Sequence, residues 1–408
     1  MTILIAGAGI GGLTTALALH ARGIHPTLLE AAPEIQPLGV GINLLPHAVR
    51  VLADLGLQEL LLEAGIATRE LIYFNKFGQQ IWQEPRGCYA GYPWPQISIH
   101  RGRLQMLLLD VVRERLGRDA VQVDRTRSAF RQGCSRVHAT FQTGNGSTRV
   151  LEADLLIAAD GIHSAARRIL YPGETTPVFS GRILWRGTTT AAPYLSGASM
   201  IMAGHQEQKF VAYPITAPDS SGKVLINWIA ELSSDVMPGR ESWNQPGRIE
   251  DFLPSFESWR FDWLDVPETI RNANAIYMYP MVDRDPLPAW SFGRVTLLGD
   301  AAHPMYPIGS NGASQAIIDA ATLAEAVARH GEGPDALAAY EVKRLKATAQ
   351  VVEANRNNGP ERCMQIVEER APYGFTNIHD VISAAELQRI ADDYKRLAGF
   401  SLEQLTRE

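Results

Sequence analysis

The chain opens with a short apolar run, Ile3 to Ala6, and then places Gly7, Gly9 and Gly12 in the spacing G-x-G-x-x-G. An alanine-rich helical pattern from Leu13 to His20 follows, and Gly23 closes it. A second apolar run, Thr27 to Leu29, ends on Glu30. Strand, glycine turn, helix and second strand in this register form a dinucleotide-binding unit. Gly7 permits the tight turn. Gly9 lets the backbone approach a pyrophosphate, because no Cβ stands in the way. Gly12 lets helix and strand pack closely. Free N–H groups and the dipole at the helix start attract phosphate. Glu30 stands where a carboxylate accepts from ribose hydroxyls. A glycine turn with no ligand would leave the strand, helix and acid in register without a reason. The stretch alone does not say which dinucleotide is bound, or for what reaction.

The remainder narrows the class. At 408 residues the chain has room for two or three domain-sized units. The net charge of −6 is spread over interspersed acids and bases, without the basic stripe a nucleic-acid partner needs. No apolar run approaches a bilayer span, and the N-terminal strand belongs to the nucleotide unit rather than to a cleaved signal. No membrane partner is expected. Cys88, Cys134 and Cys363 are odd in number and far apart, so neither a disulfide framework nor a metal site is expected. A reducing, cytoplasmic compartment fits best.

Taken in order, PLGVGIN (37 to 43) carries paired glycines, of which Gly41 is a candidate for close approach to a flat group. Pro46 to Leu55 reads as a helix. Glu70 to Phe74 and Gln80 to Gln83 read as a strand pair. Arg101 stands at the mouth of an amphipathic helix, Leu104 to Leu116. An arginine there opposes the helix dipole unless an anionic ligand offsets it, although a solvated surface arginine is the commoner case. His100 reads as a packed or capping residue. Ala153 to Ala159 reads as a buried parallel strand ending in Asp160-Gly161, and ligands lie beyond the carboxyl ends of such strands.

From Pro177 to Pro280 strands with aromatic residues dominate and predict an antiparallel sheet with one pocket-lining face. Most of those aromatics are core. A helix is expected over Arg248 to Ser258. A second buried strand ends in Gly299-Asp300. It leads through a loop containing Met305, Tyr306 and Pro307 to a helix from Ala313 to Val327. N–H groups at Gly312 and Ala313 would face negative charge. The tail, Asp335 to Glu408, is helical and polar. Docking or homo-oligomerisation is expected of it, and no chemistry.

Three motifs now combine: GAGIGG with Glu30, AADGIHSAAR (158 to 167) and LLGDAAHPMYPIGSNGASQAIID (297 to 319). The set resembles the single-component FAD-dependent aromatic hydroxylases of the para-hydroxybenzoate hydroxylase type. Within that family the likeness is strongest to phenazine-modifying monooxygenases, with salicylate-hydroxylase-like enzymes next. The resemblance implies an α/β fold: a Rossmann-like FAD-binding domain interleaved with an antiparallel-sheet substrate domain, plus a helical C-terminal tail. The expected boundaries are 1–176 for the FAD domain, with a substrate-domain insertion at about 70–100. Residues 177–280 would form the substrate sheet, 281–335 would return to the FAD domain, and 336–408 would form the tail.

The resemblance assigns Gly7, Gly9, Gly12, Glu30, Gly41, Arg101, Asp160, Gly161, Gly299, Asp300, Pro307, Gly312 and Ala313 to FAD, with Pro307 and Gly312 beside the isoalloxazine. It implies NADH or NADPH as a transient co-substrate, O₂, and oxygen transfer to a small aromatic substrate through a flavin C4a-hydroperoxide. The flavin carries that chemistry, and no protein residue is assigned as catalytic. Trp185, Arg186, Tyr213, Met305 and Tyr306 are the substrate-pocket candidates. Arg186 would pair either with a substrate carboxylate or within a structural ion pair. The rival readings are an FAD oxidoreductase that inserts no oxygen and a flavin-binding sensor without turnover.

Overall fold

The first apolar run, Ile3–Ala6, is a fully buried strand near the middle of a six-stranded sheet. The computed structural model describes residues 2–174, 176–237 and 245–406. Ile3–Ala6 pairs in parallel with Thr27–Leu29 on one side and Leu155–Ala158 on the other. Leu155–Ala158 pairs in turn with Val295–Leu297, again in parallel. Strands buried on both faces are nearly all apolar, and Ile3–Ala6, Leu155–Ala158 and Val295–Leu297 carry one polar residue among them, Thr296. Parallel alignment makes three distant glycine turns leave the sheet at the same edge. They are Gly7, Gly161 and Gly299, each with positive φ. The helices Ile10–His20 and Gly312–His330 pack against each other over this sheet.

The second large sheet has seven strands, in the order Ile276–Asp283, Val178–Ala191, Val224–Ser233, Gln208–Pro214, Ser199–Gly204, Glu70–Phe74, Gln80–Pro85. The hairpin over residues 70–85 joins it from the N-terminal part of the chain. The sheet is mixed rather than wholly antiparallel, because Glu70–Phe74 returns alongside Ser199–Gly204 in parallel. Alternation divides its residues between two faces. One face buries Trp185, Phe210 and Trp228 against Phe252 and Phe256. The helix expected over 248–258 is broken into the turn Ile249–Asp251 and the short helix Leu253–Phe256. Pro254, which lacks an N–H, falls in the first turn of the second piece and fits only there.

The tail docks on its own chain. Helices Arg362–Arg370 and Ala384–Leu397 bring Cys363, Met364, Val367 and Leu387 against Tyr73, Met200 and Met202 on the opposite face of the seven-stranded sheet. Phe400 reaches farther and stacks on His47 of the helix Pro46–Asp54, with ring centroids 5.3 Å apart. His47 is buried, and neither ring nitrogen has a hydrogen-bond partner.

Burial, with the cations of Arg344 and Arg50 adding to it, lowers the His47 pKa to about 3. The folded protein therefore holds this imidazole neutral, while the unfolded chain protonates it near pH 6.5. Between those values the unfolded state binds the extra proton, so stability falls as pH falls. Replacing His47 with leucine should flatten the acid limb of stability by about 1.4 kcal/mol per pH unit between pH 5.5 and pH 4. Chemical denaturation at a series of pH values reads this directly, and parallel limbs for the two proteins would refute it.

Candidate active site

Between the two large sheets lies a cavity enclosing about 1440 Å³ of non-atom space, part of it open to solvent. Its first wall is the edge where the parallel strands end. The three fingerprint glycines have different surroundings. A Cβ on Gly7 would come within 2.3 Å of the Ala159 carbonyl oxygen, and one on Gly12 within 2.0 Å of the Gly7 carbonyl oxygen. Both are required by packing. A Cβ on Gly9 would meet no protein atom within 4 Å, and Gly9 lines the cavity. The protein leaves room there for a ligand to approach the backbone. Gln105 donates to the Ala8 carbonyl at 2.9 Å and so braces the turn.

Glu30 does not line the cavity. Its carboxylate accepts from the Ala8 and Ala32 N–H groups at 2.8 and 2.9 Å, which ties the glycine turn to the end of the neighbouring strand. Asp160 caps the helix Ala165–Leu170, accepting from Ser164 Oγ at 2.6 Å and from Ala165 N–H at 2.9 Å, while Gly161 beside it lines the cavity. Gly41, Arg101, Gly299, Asp300, Pro307, Gly312 and Ala313 all line the cavity. His100 caps the helix Arg101–Leu116 by accepting from Gly102 N–H at 3.1 Å. Arg101, the first residue of that helix, thus faces the cavity. Burial pulls its guanidinium pKa down, and Asp300 opposes the fall. Asp300 is open to the cavity but surrounded by protein. Desolvation raises its carboxyl pKa against the pull of His303 and Arg101.

The loop from Gly299 to Asn311 forms the second wall. Gly309 and Ser310 both lie in the left-handed region, at φ 66° and 58°. For serine that conformation is strained and must be held by its surroundings. A buried polar network supplies the hold. Asp319 accepts from Gly299 N–H at 3.1 Å, contacts His303 Nε2 at 2.5 Å and accepts from Arg344 Nε at 2.7 Å. Arg344 donates to Gln315 Oε1 at 2.5 Å, and Gln315 donates to Asn311 Oδ1 at 3.2 Å. Asn311 donates to Tyr394 Oη at 2.8 Å, and Tyr394 donates to Asn355 Oδ1 at 2.7 Å. Asn355 closes the chain on the Tyr306 carbonyl at 3.1 Å. Asn311, a member of the network, directly precedes Gly312 and Ala313, which open the helix Gly312–His330. First-turn N–H groups have no partner within their own helix, and these stand at the cavity wall.

The third wall is the seven-stranded sheet. Arg186, Tyr213 and Met305 line the cavity, whereas Trp185 and Tyr306 do not. Consecutive strand residues point to opposite faces, so Leu184 and Arg186 face the cavity and Trp185 stacks on Phe252 at 5.0 Å behind the sheet. Tyr306 turns from the cavity into a cluster with Leu184, Tyr279 and Met281. Arg186 donates to the Gly41 carbonyl at 2.7 Å and has no carboxylate partner among the described residues. Burial raises the Tyr213 phenol pKa to about 12, with the hydrogen-bonded Arg186 opposing the rise.

Sequence reading missed Lys209, Glu231 and Glu361, which also line the cavity. Lys209 and Tyr213 are four residues apart on one strand and share a face, so the Tyr213 candidate carried an unread signal for Lys209. Glu361 comes from the tail, where no chemistry was expected.

The comparisons with known proteins agree with this geometry. A family model described as an FAD binding domain matches residues 1–355. Phenazine 1,6-dicarboxylic acid hydroxylase PhzS of Lysobacter antibioticus is 50% identical over 366 residues, covering 87% of this chain and 89% of that protein. Aurachin C monooxygenase/isomerase of Stigmatella aurantiaca is 31% identical over 362 residues, covering 88% and 89%. Among solved structures, Klebsiella pneumoniae HpxO with FAD and uric acid superposes with a TM-score of 0.73 at 23% identity, over 100% of this chain and 95% of that one. CtdE with FAD and substrate superposes with a TM-score of 0.76 at 21% identity, covering both chains fully.

In the apoproteins, replacing Gly9 with valine should leave the far-ultraviolet spectrum and the melting temperature close to wild type, because the protein itself has space for the side chain. FAD affinity should fall at least about 100-fold, as the side chain takes the ligand's place. A yellow variant that retains FAD through gel filtration would contradict the assignment.

Proposed function

The chain belongs to the FAD-binding-domain family of flavin-dependent aromatic monooxygenases, and from that premise we propose that its substrate is a planar heteroaromatic carboxylate of the phenazine type. The enzyme uses FAD, NAD(P)H and O₂ to insert one oxygen atom into an aromatic ring. The observation that carries the substrate reading is Arg186. It is a cation in an otherwise mainly apolar stretch of cavity wall and has no carboxylate partner among the described residues. A guanidinium so placed binds a carboxylate well, since its planar fork matches two oxygens. The 50% identical relative is named for phenazine 1,6-dicarboxylic acid.

In this reading Gly9 and Gly11 receive the pyrophosphate at the start of the helix Ile10–His20. Asp300 and Arg101 meet the ribityl–phosphate portion. Pro307, Gly312 and Ala313 border the ring system, where first-turn N–H groups favour negative charge. The open space at Gly9 and the donors at the second helix start fit FAD. Bound there, FAD supplies hydride acceptance and O₂ activation. The chain's own side chains orient the aromatic ring and exclude water. Leu184, Met202, Val211, Ile229 and Met281 form the apolar part of the wall that does so. Tyr213 stays a neutral phenol and steadies Arg186. Glu30 and Asp160 act by holding the turns that touch FAD.

No helix among the described residues is long and apolar enough to cross a membrane. Three free cysteines, two of them exposed, support a reducing cytoplasmic location. The tail's docking on its own chain leaves its outer helix faces for a homo-oligomeric contact.

With phenazine-1-carboxylate as substrate, Arg186→Met should raise KM by about 30- to 1000-fold, corresponding to the roughly 2–4 kcal/mol of a buried charge pair. FAD content and the slow NAD(P)H oxidation without substrate should be unchanged. An unaltered KM in a fully flavinated variant would overturn the role of Arg186. Absence of hydroxylated product from the wild-type protein with phenazine and salicylate carboxylates alike would overturn the substrate class.

A further inference from the structure

Four charged residues meet where the seven-stranded sheet walls the cavity: Lys209, Glu231 and Glu361 line it, and Arg182 stands behind them. Each is more than nine-tenths buried. Lys209 contacts Glu231 at 3.0 Å and Glu361 at 2.5 Å, and Arg182 contacts Glu231 at 3.0 Å. Sheet register places Glu231 and Lys209 side by side, and Arg182 lies one row away, two residues before Leu184. Leu184, Glu231 and Lys209 form one cross-strand row, and Arg186, Ile229 and Val211 form the next. Burying four charges is expensive in free energy, and an apolar set would pack as well. The arrangement therefore suggests a recognition role.

The charges balance, two positive and two negative. Two of the three Lys209 donors are used by carboxylates, which leaves one for the cavity. The Glu361 side chain uses Oε2 for Lys209, and Oε1 has no partner among the described residues. Glu361 and Lys209 both line the cavity, so its floor presents one donor beside one acceptor with no net charge. The turn that delivers Glu361 is itself tied to the floor. Asn358, at φ 64°, accepts from Arg182 at 3.3 Å. Glu361 also lies beyond the residues that the family model matches, so it is a feature of this chain's tail.

We propose that this floor is a specificity subsite for a neutral edge of the substrate carrying both a hydrogen-bond donor and an acceptor, and that it disfavours a second carboxylate. The proposal rests on the reading above, in which Arg186 takes the first carboxylate. Strand geometry sets the two subsites one row and two strands apart, roughly 12 Å between Cα positions. A three-ring heteroaromatic spans the interval, with its carboxylate at Arg186 and its far edge at Lys209 and Glu361. A carboxylate at that far edge would sit against Glu361 and Glu231, with the two nearby cations already neutralised.

Steady-state kinetics of the holoenzyme with phenazine-1-carboxylate and phenazine-1,6-dicarboxylate test this. Wild type should show a KM at least tenfold lower for the monocarboxylate. Glu361→Gln leaves the floor with a net positive charge and should lower the KM for the dicarboxylate at least tenfold, with kcat little changed. Lys209→Met leaves a net negative charge and should widen the wild-type preference. Wild type that uses both compounds equally well overturns the proposal without needing any variant. So does a flavinated Glu361→Gln protein that still turns over the monocarboxylate with an unmoved ratio. Those results would leave Arg186 and the heteroaromatic reading intact. Failure of both compounds to be turned over or to perturb the flavin spectrum would overturn that reading and the subsite together.

Discussion

The Asp319 carboxylate has no solvent exposure, and the cavity-lining loop hangs on it. One oxygen holds the Gly299 N–H and the His303 ring, and the other holds Arg344. Burial alone would raise its pKa, but His303 and Arg344 outweigh burial and hold it at about 2. The carboxylate is therefore ionised at any pH where the enzyme works. Its stabilising contribution is present above the usual carboxylate range and is lost only as pH falls toward 2. Removing one partner of such a buried pair costs about 3–5 kcal/mol, because the other charge is left stranded. That is ample to hold Gly309 and Ser310 in their left-handed conformations. Strain in the loop and the buried charge beneath it are two parts of one arrangement.

A second constraint joins the two sheets. A Cβ on Gly41 would strike the Asn227 side chain at 2.6 Å, and the Gly41 N–H donates to Asn227 Oδ1 at 2.7 Å. The Gly41 carbonyl accepts from Arg186. One glycine thus sets the position of the substrate-facing sheet relative to the nucleotide-facing wall. On the proposed reading, this fixes where an aromatic ring anchored at Arg186 would lie against a flavin bordered by Pro307 and Gly312. The tail contributes to the same enclosure, through Tyr394 behind the loop and Glu361 on the floor.

Much of the nucleotide-binding half was legible in the sequence because its physics is local. A strand, a glycine at positive φ and a helix start are each encoded within a few residues, and the parallel sheet then brings three such turns together. Glu30 and Asp160 show the limit of that reading. The motif marks where the carboxylates stand, but their hydrogen bonds go to neighbouring backbone N–H groups, and only coordinates reveal that. The substrate wall was less legible. Residue type makes Trp185 and Arg186 both pocket candidates, although strand alternation allows only one of them to face the cavity. Lys209 was recoverable from its parity with Tyr213. Glu361 was not, since its place depends on how a helical tail with no sheet register folds back across the molecule. The parallel pairing of Glu70–Phe74 with Ser199–Gly204 is likewise a product of long-range topology.

The Asp319 charge, buried and paired, holds the loop and helix start proposed to receive the flavin. The most direct measurement is the FAD dissociation constant of an Asp319→Asn variant, obtained by fluorescence titration of apoprotein and set beside that of wild type. The amide keeps the size of the carboxylate but cannot neutralise Arg344. Affinity should fall at least about tenfold, which corresponds to roughly 1.4 kcal/mol of lost positioning. A folded variant that binds FAD as tightly as wild type would show that the loop does not depend on this charge.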